Sequence, residues 1–211
     1  MKVSIEVEGS LWSYETIEAN RCSPEAIPEE QRAGVVVAVD PSGAAGHDDL
    51  GADEIGIVIA ARGVDGDGYI LDDRSCREGP LIWGRRAVVA YHEYRADCIV
   101  AESNFGGEMV RATIQAADQN VPVRLVTASR GKAVRAEPIS VRYAQGKIHH
   151  VGRFPKLEDQ LCAFSASGYN GGGSPDHADA AIWALTHLFA ADDGAGIIEF
   201  YRRAAEEQSR K

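Results

Sequence analysis

Val35-Val36-Val37-Ala38-Val39-Asp40-Pro41-Ser42-Gly43 is the stretch on which the reading of this chain turns. Five apolar residues, four of them β-branched, run without a polar interruption into one aspartate. An unbroken β-branched run between turn signals predicts a strand buried on both faces, at the centre of an α/β sheet. Asp40 stands at its C-terminal end, where open α/β sheets place ligands, and Pro41 ends the ladder. Taken alone, Asp40 could equally cap the following loop. Carboxylates at matching places downstream shift the balance toward a site.

The chain around this strand has 211 residues, the size of one ordinary domain with room for an added arm. No apolar run approaches membrane-spanning length, and Met1-Lys2-Val3-Ser4-Ile5-Glu6 shows no secretory signal, so a cytoplasmic protein without a membrane partner is expected. Cys22, Cys76, Cys98 and Cys162 lie far apart without zinc spacing and read as reduced thiols. The formal net charge of −10 does not advertise a nucleic-acid binder. Distribution matters more than the sum, however, because basic residues gathered in one place still make a field.

Taken in order, residues 1–33 read as a linker or N-terminal arm, in which residues 11–19 form a short helix that docks Trp12. After the first strand comes a Gly/Asp-rich loop over 42–53. Strands over 54–62 and 69–73, joined by a tight turn, continue as an antiparallel meander. A helix follows from Pro80 to about 96, with Leu81, Ala87, Val88, Tyr91 and Tyr94 inward. Cys98-Ile99-Val100-Ala101-Glu102 repeats the logic of the first strand. A helix over 109–118, a strand over 121–127, a helix over about 132–145 ending at Gly146, and an extended piece over 147–151 come next. Residues 155–164 predict a helix with Leu157, Leu161 and Phe164 on one face, and 168–173 a flexible loop. The last core helix starts with Ser174 as its N-cap and Pro175 in its first position, and turns Ile182, Trp183, Leu185 and Phe189 inward. Residues 193–211 form a helical tail. The order predicts a ribonuclease H-like domain over 34–192: a mixed five-stranded sheet, antiparallel meander plus parallel strands, with helices on both faces.

Four acids stand out in this frame. Asp40 and Glu102 end two neighbouring strands, and Asp176 and Asp179 share one face of a helix start. Converging carboxylates repel unless a cation lies between them, and all-oxygen ligation suits Mg²⁺ or Mn²⁺ rather than zinc. Two such ions roughly 3.5–4 Å apart support phosphodiester cleavage. Asp176 has a plainer reading as a carboxylate favoured by the helix dipole. Asp179, among small apolar neighbours, points to burial. His177 could orient a water or phosphate, or be a solvated helix-start histidine, and Asn104 could touch substrate or close a turn. Asp48, Asp49, Asp72 and Asp73 read as loop and turn acids.

From Arg130 to Arg153 the charge reverses. Arg130, Lys132, Arg135 and Lys147 are the candidate contacts to a phosphate backbone, against the alternative of a solvated basic face.

Several segments together resemble the C-terminal nuclease domain of tailed-bacteriophage terminase large subunits, over about residues 11–190. They are Val39-Asp40-Pro41-Ser42-Gly43, Ala101-Glu102-Ser103-Asn104, Gly131-Lys132-Ala133-Val134-Arg135-Ala136-Glu137-Pro138, Gly146-Lys147-Ile148-His149-His150-Val151-Gly152, Leu157-Glu158-Asp159-Gln160 and Ser174-Pro175-Asp176-His177-Ala178-Asp179-Ala180. The resemblance implies a two-metal endonuclease that cuts concatemeric viral DNA during packaging. Asp40, Glu102 and Asp179 would form its metal-binding catalytic triad, and Asp176 would be an additional ligand or a neighbour that supports the ligands. It also implies double-stranded DNA, a packaging ATPase domain, a terminase small subunit and a portal as partners, in the host cytoplasm.

The chain departs from that pattern in having no GxxxxGK[ST] phosphate loop, so translocation of DNA is not expected of it. An excised domain with residues 1–33 as remnant linker is favoured over a stand-alone relative. Two rivals remain: a junction resolvase of the same fold, which also carries a paired helix-start Asp-x-x-Asp, and a non-catalytic docking module of the packaging motor.

Overall fold

The computed structural model describes residues 9–41, 54–103, 107–127 and 131–190. In chain order the elements begin with helix α1 (Tyr14–Ala19) and strands β1 (Arg21–Cys22), β2 (Arg32–Asp40), β3 (Gly56–Gly63) and β4 (Gly68–Asp73). Then come α2 (Pro80–Glu93), β5 (Cys98–Glu102), α3 (Gly107–Ala117), β6 (Val123–Val126) and α4 (Lys132–Ala144). The last are β7 (Ile148–Val151), α5 (Pro155–Cys162), the short pair β8 (Phe164–Ser165) and β9 (Gly168–Tyr169), and α6 (Asp176–Phe189).

Seven strands form one sheet in the order β1-β7-β4-β3-β2-β5-β6. Its centre is the expected mixed unit: β2–β3 and β3–β4 are antiparallel, β2–β5 and β5–β6 parallel. The ribonuclease H-like arrangement is present, with two strands more than the five expected. Residues 148–151 form β7, parallel to β4, and β1 adds beyond β7, again parallel. Strands of four and two residues are too short to show a period in sequence.

Why the β2 run carries no polar residue is visible in its packing. Val36 and Ala38 face one core cluster, built with α4, α5 and α6; Val35, Val37 and Val39 face the other, built with α2 and α3. Side chains alternate across a strand, so a strand covered on both faces must be apolar at every position. Burying a Val or Ile side chain stabilises by ~1.5–3 kcal/mol, so these two faces dominate the fold's stability.

The N-terminal segment joins the body. Ser13 accepts a hydrogen bond from the Thr16 N–H at the start of α1, and Trp12 packs edge-on against Tyr143 and Phe164, as expected of it. At the far end of α4, Gly146 takes a positive φ of 69°, which stops the helix where the sequence predicts.

Several local expectations are corrected. In α2, Leu81 is exposed and Trp83 buried, so the inward face is Trp83, Ala87, Val88 and Ala90, with Tyr91 and Tyr94 partly buried against the same core. Phe164 leaves α5 and is buried in β8, and part of the expected loop over 168–173 is β9. The N-cap of α6 is Pro175 rather than Ser174, because Gln160 from α5 supplies the capping oxygen that a serine would otherwise provide. Asn104, Arg130, the loop acids Asp48 and Asp49 and the tail over 193–211 lie outside the described residues. Among the described residues, no helix is long and apolar enough to cross a membrane.

Candidate active site

The parity that explains the β2 run also aims its last residue. Asp40 follows Val36 and Ala38, so it belongs to the face covered by α6. In β5, Cys98 and Val100 lie on that same face, and Glu102 is the next residue of their parity. β2 and β5 run parallel with Val39 opposite Ala101, so Asp40 and Glu102 occupy the following rung, on strands about 4.8 Å apart. Two neighbouring strands therefore deliver two carboxylates to one point.

Helix α6 brings the other two. Its start lies directly over β3, where Gly56 pairs with Asp40. A side chain on Gly56 would have its Cβ 2.0 Å from the Asp176 carbonyl oxygen, so only glycine lets the helix approach this closely. The Ala178 N–H, one of the helix-start donors without an intrahelical partner, is taken by Gln160 Oε1 at 3.0 Å. Asp176 and Asp179 lie in this first turn. All four acids are buried: Asp40 is 5% exposed, Glu102 8%, Asp176 2% and Asp179 1%.

Buried acids this close do not ionise independently. Burial first, then the charges of Asp179, Glu102 and Asp176, push the Asp40 carboxyl well above its ordinary range. Two cations from α4 offset the charge. Lys132 Nζ pairs with Asp179 Oδ2, and Arg135 Nη2 lies 3.4 Å from Asp179 Oδ1. Burial disfavours the Lys132 ammonium, but Asp179, and behind it Asp40 and Asp176, more than compensate and raise its pKa. The Arg135 guanidinium also lies over the Trp183 ring, 4.5 Å from its centroid. The Trp183 Nε1–H donates to Glu102 Oε2 at 2.8 Å.

Beside this cluster is a group that the sequence did not reveal. His177 is buried, not solvated: Nδ1 lies 2.7 Å from Asp73 Oδ2 and Nε2 2.7 Å from Glu54 Oε2. Glu54 is in turn bridged by Lys156 Nζ at 2.8 Å. Burial opposes protonation of His177, but the hydrogen bonds to Asp73 and then Glu54 raise its pKa. Asp73 is thus an anchor that ties the start of α6 to the end of β4. The signal for it in sequence was only its place at a strand end, which it shares with many turn acids.

Of the predicted backbone contacts, Lys132 and Arg135 reach the cluster. Lys147 does not: it precedes β7, which runs parallel to β4, at the opposite end of the sheet from Asp40, and it pairs with Asp67 at 3.1 Å.

The donor set suits a hard divalent cation, being four carboxylates with no thiolate. Among the described residues no three His, Cys, Asp or Glu side chains already stand in metal-holding geometry. Lys132 supplies the positive charge against Asp179 instead.

In fold the chain is similar to the nuclease domain of the large terminase subunit gp2 of bacterial virus Sf6, with a TM-score of 0.63, 15% identity, and coverage of 83% of this chain and 98% of that one. It is similar to the HK97 bacteriophage large terminase at 0.61 and 13%, covering 84% of this chain but 43% of that one, so it spans less than half of that protein. The large terminase nuclease from thermophilic phage G20c gives 0.54 and 15%, covering 72% and 81%. No curated protein matches the sequence. The family model described as the terminase RNaseH-like domain matches residues 37–188, from the middle of β2 to the end of α6, and the chain belongs to that family.

Proposed function

We propose that this chain is a divalent-metal-dependent DNA endonuclease that cuts concatemeric viral DNA during genome packaging. The observation that carries the reading is the convergence of Asp40, Glu102, Asp176 and Asp179, four buried carboxylates delivered by β2, β5 and α6 to one end of the sheet. A K428A variant of the Sf6 nuclease domain was solved with manganese and with calcium, which supports divalent-metal use here. Two Mg²⁺ or Mn²⁺ ions held by these side chains would supply a water of lowered pKa and charge stabilisation for the departing 3′ oxygen.

The chain's own residues set the conditions for that chemistry. Asp40 and Glu102 are fixed by a rigid parallel strand pair, and Asp179 by the helix packed over it. Asp176 adds a further carboxylate beside them. With metal held by the cluster, Lys132 would be released from Asp179 and, with Arg135, would meet the phosphate backbone entering the site. Backbone contacts carry little sequence information, so cutting is largely indifferent to sequence. Double-stranded DNA, a packaging ATPase domain, a terminase small subunit and a portal are the partners of this reading, in the host cytoplasm.

The test is conversion of supercoiled plasmid to nicked and linear forms in Mn²⁺, Mg²⁺ or EDTA, with Asp40→Asn and Asp179→Asn alongside. Metal-dependent cutting lost in both variants supports the proposal. An intact plasmid in every metal, with folded protein, favours a docking module. A strong preference for four-way-junction over linear duplex DNA favours a resolvase.

A further inference from the structure

We infer that Trp183 is a positioning residue for Glu102, and that through Arg135 it locks the strand carboxylate and the helix carboxylate to one another. The inference rests on the metal-centre reading above and deepens it. Trp183 and Asp179 stand four residues apart on α6, hence on one face, one turn apart. From that face the indole Nε1–H donates to Glu102 Oε2 at 2.8 Å, in a pair where both residues are buried. The opposite character of the same ring, its π-face, holds the Arg135 guanidinium at 4.5 Å, and Arg135 reaches Asp179 at 3.4 Å. Glu102, Trp183, Arg135 and Asp179 thus form a bracket across β5, α6 and α4.

The bracket has a physical purpose that hydrophobic packing alone does not require. A glutamate has three rotatable side-chain bonds, and a metal ligand must present its oxygens in one direction. A buried indole N–H needs an acceptor, and a carboxylate is a strong one. The pair fixes the Glu102 rotamer before a cation arrives, as groups hydrogen-bonded to metal ligands generally do. Arg135 adds positive charge beside Asp179, and its stacking on the indole makes the placement of each carboxylate depend on the other.

The indole itself is the readout. The chain has three tryptophans, Trp12, Trp83 and Trp183, so a ¹H–¹⁵N spectrum should show three indole signals, with that of Trp183 assigned by its loss in Trp183→Phe. Glu102→Gln should move the Trp183 indole signal in the metal-free protein and leave the other two in place; no movement overturns the inference, whatever the metal does. Titration with Mg²⁺ should move the same signal in the wild-type chain. If the signal responds to Glu102→Gln but never to Mg²⁺, the metal-centre reading fails while the contact stands.

Trp183→Phe keeps a ring under Arg135 and removes only the donor. It should weaken Mn²⁺ binding by about tenfold, the scale for losing a partner of a metal ligand, while cleavage at saturating Mn²⁺ falls much less. Wild-type Mn²⁺ affinity in a folded Trp183→Phe protein overturns the inference, and should that variant fail to fold, the Glu102→Gln shift decides alone.

Discussion

Lys132 Nζ is paired with Asp179 Oδ2, so the cation facing the most buried of the four acids belongs to the chain itself. The pair offsets part of the charge that the clustered carboxylates bring together. It also sets up a competition, because a divalent cation and the ammonium seek the same carboxylate.

Replacement of Lys132 by Met should therefore act in two directions. The metal-free protein loses one of its two internal counter-charges and melts at lower temperature, while Mn²⁺ no longer has to displace the ammonium. We expect half-saturation with Mn²⁺ to move to a concentration about three- to tenfold lower, the scale of ~1 kcal/mol for a partly exposed ion pair. Melting curves across a Mn²⁺ titration measure both effects. Equal Mn²⁺ response in the two proteins contradicts the competition.

Gly56 offers a test of geometry without touching charge. An added Cβ would meet the Asp176 carbonyl oxygen at 2.0 Å and the Ala180 Cβ at 3.0 Å, so Gly56→Ala must push the start of α6 off the sheet. Overpacking of this kind costs ~1–3 kcal/mol. A displacement on the order of 1 Å costs about 100-fold in rate where reacting groups are positioned, and cleavage should fall on that scale. Denaturant melts together with plasmid cleavage would show it; an active, fully stable Gly56→Ala protein would mean that the helix start need not lie so close.

A second buried network makes stability depend on acid. Glu158 accepts from Arg21 at 2.8 Å and from His150 Nδ1 at 3.1 Å, while Tyr143 Oη lies 2.8 Å from His150 Nε2. Burial would raise the Glu158 pKa, but His150, Arg21 and the Phe154 N–H hold it at about 2 against an ordinary 4.5. Burial lowers the His150 pKa below 6.5, only partly opposed by Glu158. In both cases the unfolded chain takes up a proton that the folded one refuses. His150's contribution declines as pH falls below 6.5, and Glu158's declines between 4.5 and about 2. Urea melts at a series of pH values should show this loss, and Glu158→Gln should flatten it below pH 4.5. At neutral pH the same substitution should cost about 3 kcal/mol, because Arg21 loses its buried ionised partner and keeps only the exposed Glu18. A Glu158→Gln protein with the wild-type acid profile would place the acid sensitivity elsewhere.

The fold was legible where burial on two faces wrote itself into sequence. The β2 and β5 runs could be read because no polar residue is tolerated between covered faces, and each carboxylate at a strand end then announced the site. The same logic gave no strand at β1, an edge strand of two residues, and read the four residues of β7 only as an extended piece, because such short strands carry no period. The helix-start carboxylates were visible through their spacing, but His177 was not. Its burial depends on Asp73, which reads as a turn acid, and Glu54, which reads as the start of a strand; the two are distant in sequence until the sheet brings them to α6. Charge clustering in sequence was an equally poor guide to Lys147: Lys132 and Lys147 flank the same helix, and the helix carries them to opposite ends of the sheet.

Under the proposed function, cleavage would draw on partners as well as on the centre, so the central claim is tested most directly by metal binding. Calorimetric titration of Mn²⁺ into the wild-type chain should show two sites, with binding reduced to one weak site or none in Asp40→Asn and in Asp179→Asn at unchanged fold. No binding to the folded wild-type protein, or binding that both substitutions leave intact, would contradict a metal centre built from Asp40, Glu102, Asp176 and Asp179.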